Sequence, residues 1–226
     1  MIRPLSLVSV VASACLLLAA PLRAEDTPEK SAAGAHDAHQ HAGHAHESMT
    51  GDAPVAGHSV YQLDTPWRDA RGDTLELSSL RGHPVLVLLF YGTCESVCPV
   101  LVRDLQRIDE QIPAAQRADL RYLLISFDPT VDTPERLAAY AKAHGIDSKH
   151  WKLLHGTPDQ VRELAAVLGV RYRATGNGQY SHTQRITLLD REGAVADHFD
   201  GVARPIEPIA QRVIEELGAK NGHSEH

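Results

Sequence analysis

Cysteine is scarce: it appears three times in 226 residues, too few for a small scaffold held together by disulfides. Positive charge is also in deficit, with 22 Lys and Arg against 29 Asp and Glu for a net charge of −7, and no basic block occurs anywhere. A protein that grips a phosphate backbone needs clustered cations, so nucleic acid is not an expected partner. The N-terminal apolar run from Leu5 to Ala20 is short of the roughly 20 residues a transmembrane helix needs. What is present is a 43% apolar share, which is enough for a packed core and excludes wholesale disorder. The length suits one ordinary domain or two small ones. Fourteen histidines are a surplus whose placement matters more than their number.

The first residues read as an address. Arg3 supplies a basic start, the apolar run follows, and Ala24 closes a short polar step before Glu25, the pattern of a secretory signal peptide over residues 1–24. An uncleaved anchor in the inner membrane is the alternative. Either way the expected compartment is the periplasm, and Cys15 is lost with the leader or sits in the membrane. Cys94 and Cys98 then remain as the two cysteines of the exported part. Residues 25–57 are Ala, Gly, Pro, Asp and His with almost no large apolar side chain. That composition buries too little to offset chain entropy, so a disordered tether is expected. It carries His36, His39, His41, His44 and His46, a spacing that suits capture of Cu(II), Ni(II) or Zn(II) or serves only for solubility. A flexible tail with His223 and His226 is expected over 219–226.

The folded unit is expected over 58–218. Ser59 to Leu63 and Thr74 to Leu77 read as short strands about the Asp69–Asp73 turn, forming an N-terminal β-hairpin. Pro84 to Tyr91 is a continuous apolar run bounded by Gly82 and Gly92, as a strand buried on both faces requires. A helix follows over Pro99–Gln111, then a second buried strand over Asp119–Phe127. Thr133-Pro134 and Thr157-Pro158 each pair a capping residue with Pro at the first helical position, opening helices that end at Gly145 and Gly169. A short strand at Trp151–Leu154 lies between them. The stretch Gly176–Ser181 reads as a loop. Thr183–Leu189 and Ala194–Phe199 flank a turn at Asp190–Gly193, and Pro205–Leu217 is an amphipathic helix. Strands alternating with helices and closing on a hairpin and a helix predict a thioredoxin-like α/β fold, with a central mixed sheet flanked by helices.

Cys94 and Cys98 stand where a buried strand meets a helix. A helix N-terminus offers unpaired N–H groups and partial positive charge, which favour thiolate. Pro99 marks Cys98 as the last residue before the helix. Three intervening residues let the sulfurs bridge or hold one metal ion together. Two thiolates suit Cu(I), and a nitrogen ligand would extend the site to Cu(II). An inert disulfide is the bland alternative, although so small a loop constrains little of the unfolded chain. A thiol–disulfide reductase would use the same pair. A peroxidase built on Thr93-Cys94 is opposed by Glu95, an anion expected to raise the Cys94 thiol. The nitrogen candidates are His83, His144, His150, His155, His182 and His198. His182 has the most suggestive context, since it directly precedes a buried strand and would project over the sheet end.

Three features together resemble the Sco/SenC family of copper-handling thioredoxin-fold proteins. They are Cys94-x-x-x-Cys98-Pro99, the stretch Ser126-Phe-Asp128-Pro129-Thr-Val-Asp132-Thr133-Pro134-Glu135, and His182-Thr183 before a strand ending Leu189-Asp190-x-x-Gly193. The resemblance covers about Tyr61 to Leu217. It implies a copper site of Cys94, Cys98 and His182 and a metallochaperone role in assembling the binuclear copper centre of cytochrome c oxidase. The alternative it implies is a reductase keeping the recipient cysteines reduced. Expected partners are therefore the oxidase subunit carrying that centre, other copper chaperones and thiol–disulfide reductants. Two departures stand out. Many members have Pro between the cysteines where this chain has Glu95-Ser96-Val97. Many have Asp before the histidine where this chain has Ser181, which removes one means of orienting the imidazole. Asp128 and Asp132 read as turn and cap residues.

Overall fold

The computed structural model describes residues 57–146 and 149–219. The expected leader, the tether up to residue 56 and the tail beyond residue 219 lie outside the described residues. The apolar run read as a doubly covered strand is one: all six residues of Val85–Phe90 are buried, with no polar alternation because both faces meet other side chains. In chain order the strands are β1 (Trp67–Asp69), β2 (Thr74–Leu75), β3 (Val85–Phe90), β4 (Arg121–Ser126), β5 (Trp151–His155), β6 (Tyr172–Gly176), β7 (Gln179–His182), β8 (Arg185–Leu189) and β9 (Val195–Asp200). The helices are α1 (Val97–Gln111), α2 (Ala114–Arg117), α3 (Pro134–Ala143), α4 (Pro158–Val167) and α5 (Glu207–Gly218). Seven strands form one sheet in the order β2-β1-β5-β4-β3-β8-β9, and β6 pairs with β7 alone. β3, β4 and β5 run parallel, while β8 runs antiparallel beside β3 and β9 antiparallel beside β8. This is the mixed, helix-flanked sheet of a thioredoxin-like fold.

Local chemistry explains most element ends. Thr133 accepts a hydrogen bond from the Arg136 N–H with Pro134 opening α3. Thr157 and Gln160 make a reciprocal capping box at α4, satisfying N–H groups that the first turn leaves without partners. Each longer helix turns one apolar stripe inward: Leu101, Val102, Leu105 and Ile108 on α1, and Ile209, Ala210, Val213 and Leu217 on α5, at the spacing of one helical face. Among the described residues no helix is long and apolar enough to cross a membrane.

Four local expectations need correction. No strand forms over Ser59–Leu63; Val60–Gln62 is a single 3-10 turn, drawn tight by the Ser59 hydroxyl accepting the Tyr61 N–H. The second strand of the expected N-terminal hairpin shrinks to Thr74–Leu75, which pairs with β1, while Leu77–Leu80 is another 3-10 turn. Helix α1 begins at Val97, so Cys98 lies inside its first turn rather than before it. Pro99 fits there because first-turn N–H groups need no intrahelical partner. Finally, Gly176–Ser181 is no open loop. Asn177 and Gly178 both take positive φ, 52° and 70°, as the tight turn of a two-residue hairpin demands, and they join β6 to β7.

The sheet centre carries much of the stability. Leu88 is fully buried and stands between Leu124 on β4 and Ile186 on β8. Leu88→Ala is expected to lower the unfolding free energy by about 3 kcal/mol, read as a lower urea midpoint with an unchanged slope.

Candidate metal centre

The site lies at the carboxyl ends of the parallel strands, where open α/β sheets commonly bind ligands. Beyond β3 the chain turns at once: the Cys94 N–H donates to the Tyr91 carbonyl at 3.2 Å. Beyond β4, Asp132 reaches across to hold that turn. Its carboxylate accepts the Gly92 N–H at 2.8 Å and the Ser126 hydroxyl at 2.5 Å. A side chain at Gly92 would meet the Asp132 Oδ1 at 2.6 Å from its Cβ, so the close approach requires glycine. The Asp132 carbonyl in turn accepts from the His155 Nδ1–H at 2.9 Å. Asp132 does more than the turn or cap role its sequence context suggests. Thr133 does the capping, and the buried Asp132 carboxylate anchors the cysteine turn.

The two cysteines are adjacent, both free and both buried, yet their environments differ. The Cys98 N–H points at the Cys94 Sγ, 3.4 Å away. Burial pushes the Cys94 thiol up, but the N–H groups of Cys98 and Ser96, the Cys98 thiol and the Tyr91 hydroxyl together outweigh it and bring it down to about 7. Cys98 has no exposed surface; burial, then the neighbouring Cys94 and Asp132, push its thiol far up. The expectation that Glu95 would raise Cys94 is overturned. The Glu95 side chain is exposed, where water screens its charge, and the helix-end N–H groups decide the outcome.

His182 ends β7 at the same end of the sheet. The antiparallel register Val85↔Leu189 through Leu88↔Ile186 sets the start of β8 against the end of β3, so the residues just before β8 arrive beside the cysteine turn. Arg185 fixes this arrival. Its buried guanidinium pairs with Asp200 at 2.6 and 2.8 Å and caps the carbonyls of Leu168 and Gly169 at 3.3 and 3.1 Å, just after α4. The His182 Nδ1–H donates to the Thr183 carbonyl at 3.0 Å, which leaves Nε2 with its lone pair. Burial lowers the imidazole's proton affinity, partly opposed by the Thr183 carbonyl, so the ring is neutral and able to act as a ligand. The backbone carbonyl thus supplies the orientation that Ser181, in place of a carboxylate, does not.

His182 and the cysteine turn face each other across aromatic rings. The imidazole centroid is 5.2 Å from Phe127 and 6.2 Å from Tyr91, edge-on to the latter. Tyr91 stacks obliquely on Tyr180 at 5.1 Å, and Phe127 lies on Tyr172 at 5.0 Å. Among the described residues no three His, Cys, Asp or Glu side chains already stand together as a closed ion-holding set. The structure therefore brings Cys94 and Cys98 into contact and holds His182 one aromatic layer away. The other candidate histidines go elsewhere. His83 binds Asp119 before the start of β3, and His144 caps α3 with its ring on Tyr140 at 4.1 Å. His150 precedes β5, and His198 lies on edge strand β9. His155 shares the sheet end, but its Nδ1 is occupied behind the Asp132 turn. Tyr91 was not singled out from the sequence, because nothing in an apolar strand marks its last aromatic as a neighbour of the thiol.

Far-ultraviolet thiolate absorbance of the reduced protein is expected to rise in a single step centred near pH 7. Cys94→Ser should abolish that step, and Cys98→Ser should leave a step at shifted pH because the Cys98 thiol no longer supports the Cys94 anion. Gly92→Ala should move the step upward by disturbing the turn that aims the Cys98 and Ser96 N–H groups at the Cys94 sulfur.

Comparison with known proteins agrees with this geometry. The sequence profile described as SCO1/SenC matches residues 60–218. A SCO1 protein homolog of Bacillus subtilis strain 168 is 25% identical over 134 residues, covering 58% of this chain and 69% of that one. The structure of Bradyrhizobium japonicum ScoI with copper bound is 25% identical, with a TM-score of 0.57 over 67% of this chain and 96% of that one. The structure of BsSco, described as a member of the Sco family of cytochrome c oxidase assembly proteins with a disulfide switch, shares the fold at 22% identity, with a TM-score of 0.61 over 75% of this chain and 98% of that one. With its cysteine turn, its histidine hairpin and its sheet all inside the matched span, the chain belongs to the SCO1/SenC family.

Proposed function

We propose that this protein is an exported copper metallochaperone that carries copper on Cys94, Cys98 and His182 and serves assembly of the binuclear copper centre of cytochrome c oxidase. The observation that carries the reading is the donor set at one sheet end. A thiol that ionises near neutrality touches a second thiol, and across one aromatic layer stands a neutral imidazole with Nε2 free. Two sulfurs and one nitrogen suit a soft, monovalent copper ion and tolerate its oxidised form. Such a ligand set holds cargo tightly in a three-coordinate pocket yet lets an incoming cysteine exchange onto the metal. The relative solved with copper and the relative described as an oxidase assembly protein support the cargo and the recipient. Residues 1–24 would deliver the protein to the periplasm, cleaved or kept as an anchor, and the tether histidines would offer a second, weaker place for the ion.

The contrast between the two thiols favours a second reading, that of a thiol–disulfide reductase acting on the recipient's copper-site cysteines. A Cys94 thiolate poised near ambient pH is close to the optimum for attack on a disulfide sulfur. Cys98 would then displace the mixed disulfide. The recipient gains two electrons and two protons and leaves as a dithiol, while Cys94 and Cys98 become a disulfide.

An anaerobic Cu(I) titration of the chain with His36, His39, His41, His44 and His46 changed to alanine tests the first reading. A single tight equivalent is expected, lost in the Cys94→Ser/Cys98→Ser form. Equal uptake by that form would reject it. Reduction of an oxidised copper-centre peptide by the metal-free chain tests the second. His182→Ala is expected to leave that electron transfer largely intact, and no transfer at all would reject the reductase.

A further inference from the structure

The strand that bears His182 belongs to a separate two-stranded sheet, outside the seven-stranded one. Much of β6 and β7 is exposed, so apolar burial alone holds the hairpin weakly against the body. Its feet are joined to each other: the Thr183 N–H donates to the Arg171 carbonyl at 2.8 Å, and the Arg171 N–H donates to the Thr183 hydroxyl at 3.1 Å. Higher up, the Tyr91 hydroxyl donates to the Gln179 Oε1 at 3.2 Å, three residues before His182. Tyr91 is at the same time part of the cysteine turn, because its carbonyl accepts the Cys94 N–H. One residue therefore grips the thiol-bearing turn with its backbone and the imidazole-bearing strand with its hydroxyl and ring.

The internal bond of His182 makes this grip consequential. With Nδ1 tied to the carbonyl of the next residue, the ring cannot swing toward the sulfurs independently, so its position follows that of β7. We propose that Tyr91 and Gln179 form a latch that positions β7, and through it the His182 ring, relative to Cys94 and Cys98. The latch rests on the reading that these three residues share one copper ion. Tyr91 acts in it as a positioning residue, through the strand, and Gln179 as its acceptor. The hydroxyl is the only part that Tyr91→Phe removes; the ring contacts with Tyr180 and Phe127 at 5.1 and 5.3 Å remain.

A neutral hydrogen bond of this kind is worth roughly two- to tenfold in an equilibrium constant. In the metal-free full chain, amide hydrogen exchange at Tyr180, Ser181 and His182 is expected to speed up by about that factor in Tyr91→Phe and equally in Gln179→Ala. The double variant should go no further than either single change, the mark of a shared interaction. With copper, Tyr91→Phe in the tether-substituted chain is expected to weaken Cu(I) binding by about the same two- to tenfold, and to weaken it less when His182 is already alanine, where only the hydroxyl's support of the Cys94 sulfur is lost. Unchanged exchange in Tyr91→Phe, or additive single effects, would overturn the latch. Equal weakening of copper binding with and without His182 would show the hydroxyl acting through the Cys94 sulfur alone and would overturn the positioning role. A His182→Ala chain that binds copper as tightly as the native one removes the copper reading and the role given to the latch, while the exchange data report separately whether the latch exists.

Discussion

The structure depends on the antiparallel register between β3 and β8. β3 ends in the cysteine turn and β8 begins just after His182, and Leu88 opposite Ile186 places those two ends together. A shift of one residue would turn every buried side chain of β8 to the wrong face, and all five of its residues are buried. The register is therefore enforced by the core, and the proximity of sulfur and imidazole is a by-product of packing that has nothing to do with either group. Residues 94 and 182 are far apart in the chain and are brought to the same sheet end because the side chains packed between 85 and 189 have one good arrangement.

Within that frame the site is adjusted by backbone groups rather than by charged neighbours. N–H groups at the start of α1 lower the Cys94 thiol, burial holds the Cys98 thiol protonated, and one carbonyl sets the His182 tautomer. Asp132 contributes from the next turn by holding Gly92. With Glu95-Ser96-Val97 between the cysteines and Ser181 before the histidine, it is Asp132 that holds the cysteine turn and the Thr183 carbonyl that orients the ring. The asymmetry of the two thiols follows from depth together with the N–H groups aimed at Cys94. Cys94 is in the turn and Cys98 is in the helix beneath it.

Much of this was legible in the order of residues. The buried strand before Cys94, the Thr-Pro helix starts and the cysteine pair could be read because each rests on neighbours in the chain: apolar runs, caps and spacing. His182 was visible as a residue entering a strand and projecting over the sheet end, although its choice as the third ligand came from the family resemblance. Other features needed the fold. The Ser59 hydroxyl turned an expected strand into a 3-10 turn through a bond two residues long, and β1 is so short that only pairing with β2 and β5 defines it. Asn177-Gly178 carried a plain hairpin signal that the polar loop around it obscured. Glu95 was given weight for adjacency in sequence, whereas its side chain points to solvent. Tyr91 and Asp132 act across the gap between two strand ends, a relation no local pattern records.

The central claim is that Cys94, Cys98 and His182 supply two sulfurs and one nitrogen to a single copper ion. X-ray absorption at the copper edge, on Cu(I)-loaded protein with the tether histidines removed, addresses it most directly. The account predicts a shell of two sulfur scatterers and one imidazole nitrogen, with the nitrogen lost in His182→Ala. A shell of sulfur alone, or a nitrogen that persists without His182, would contradict it.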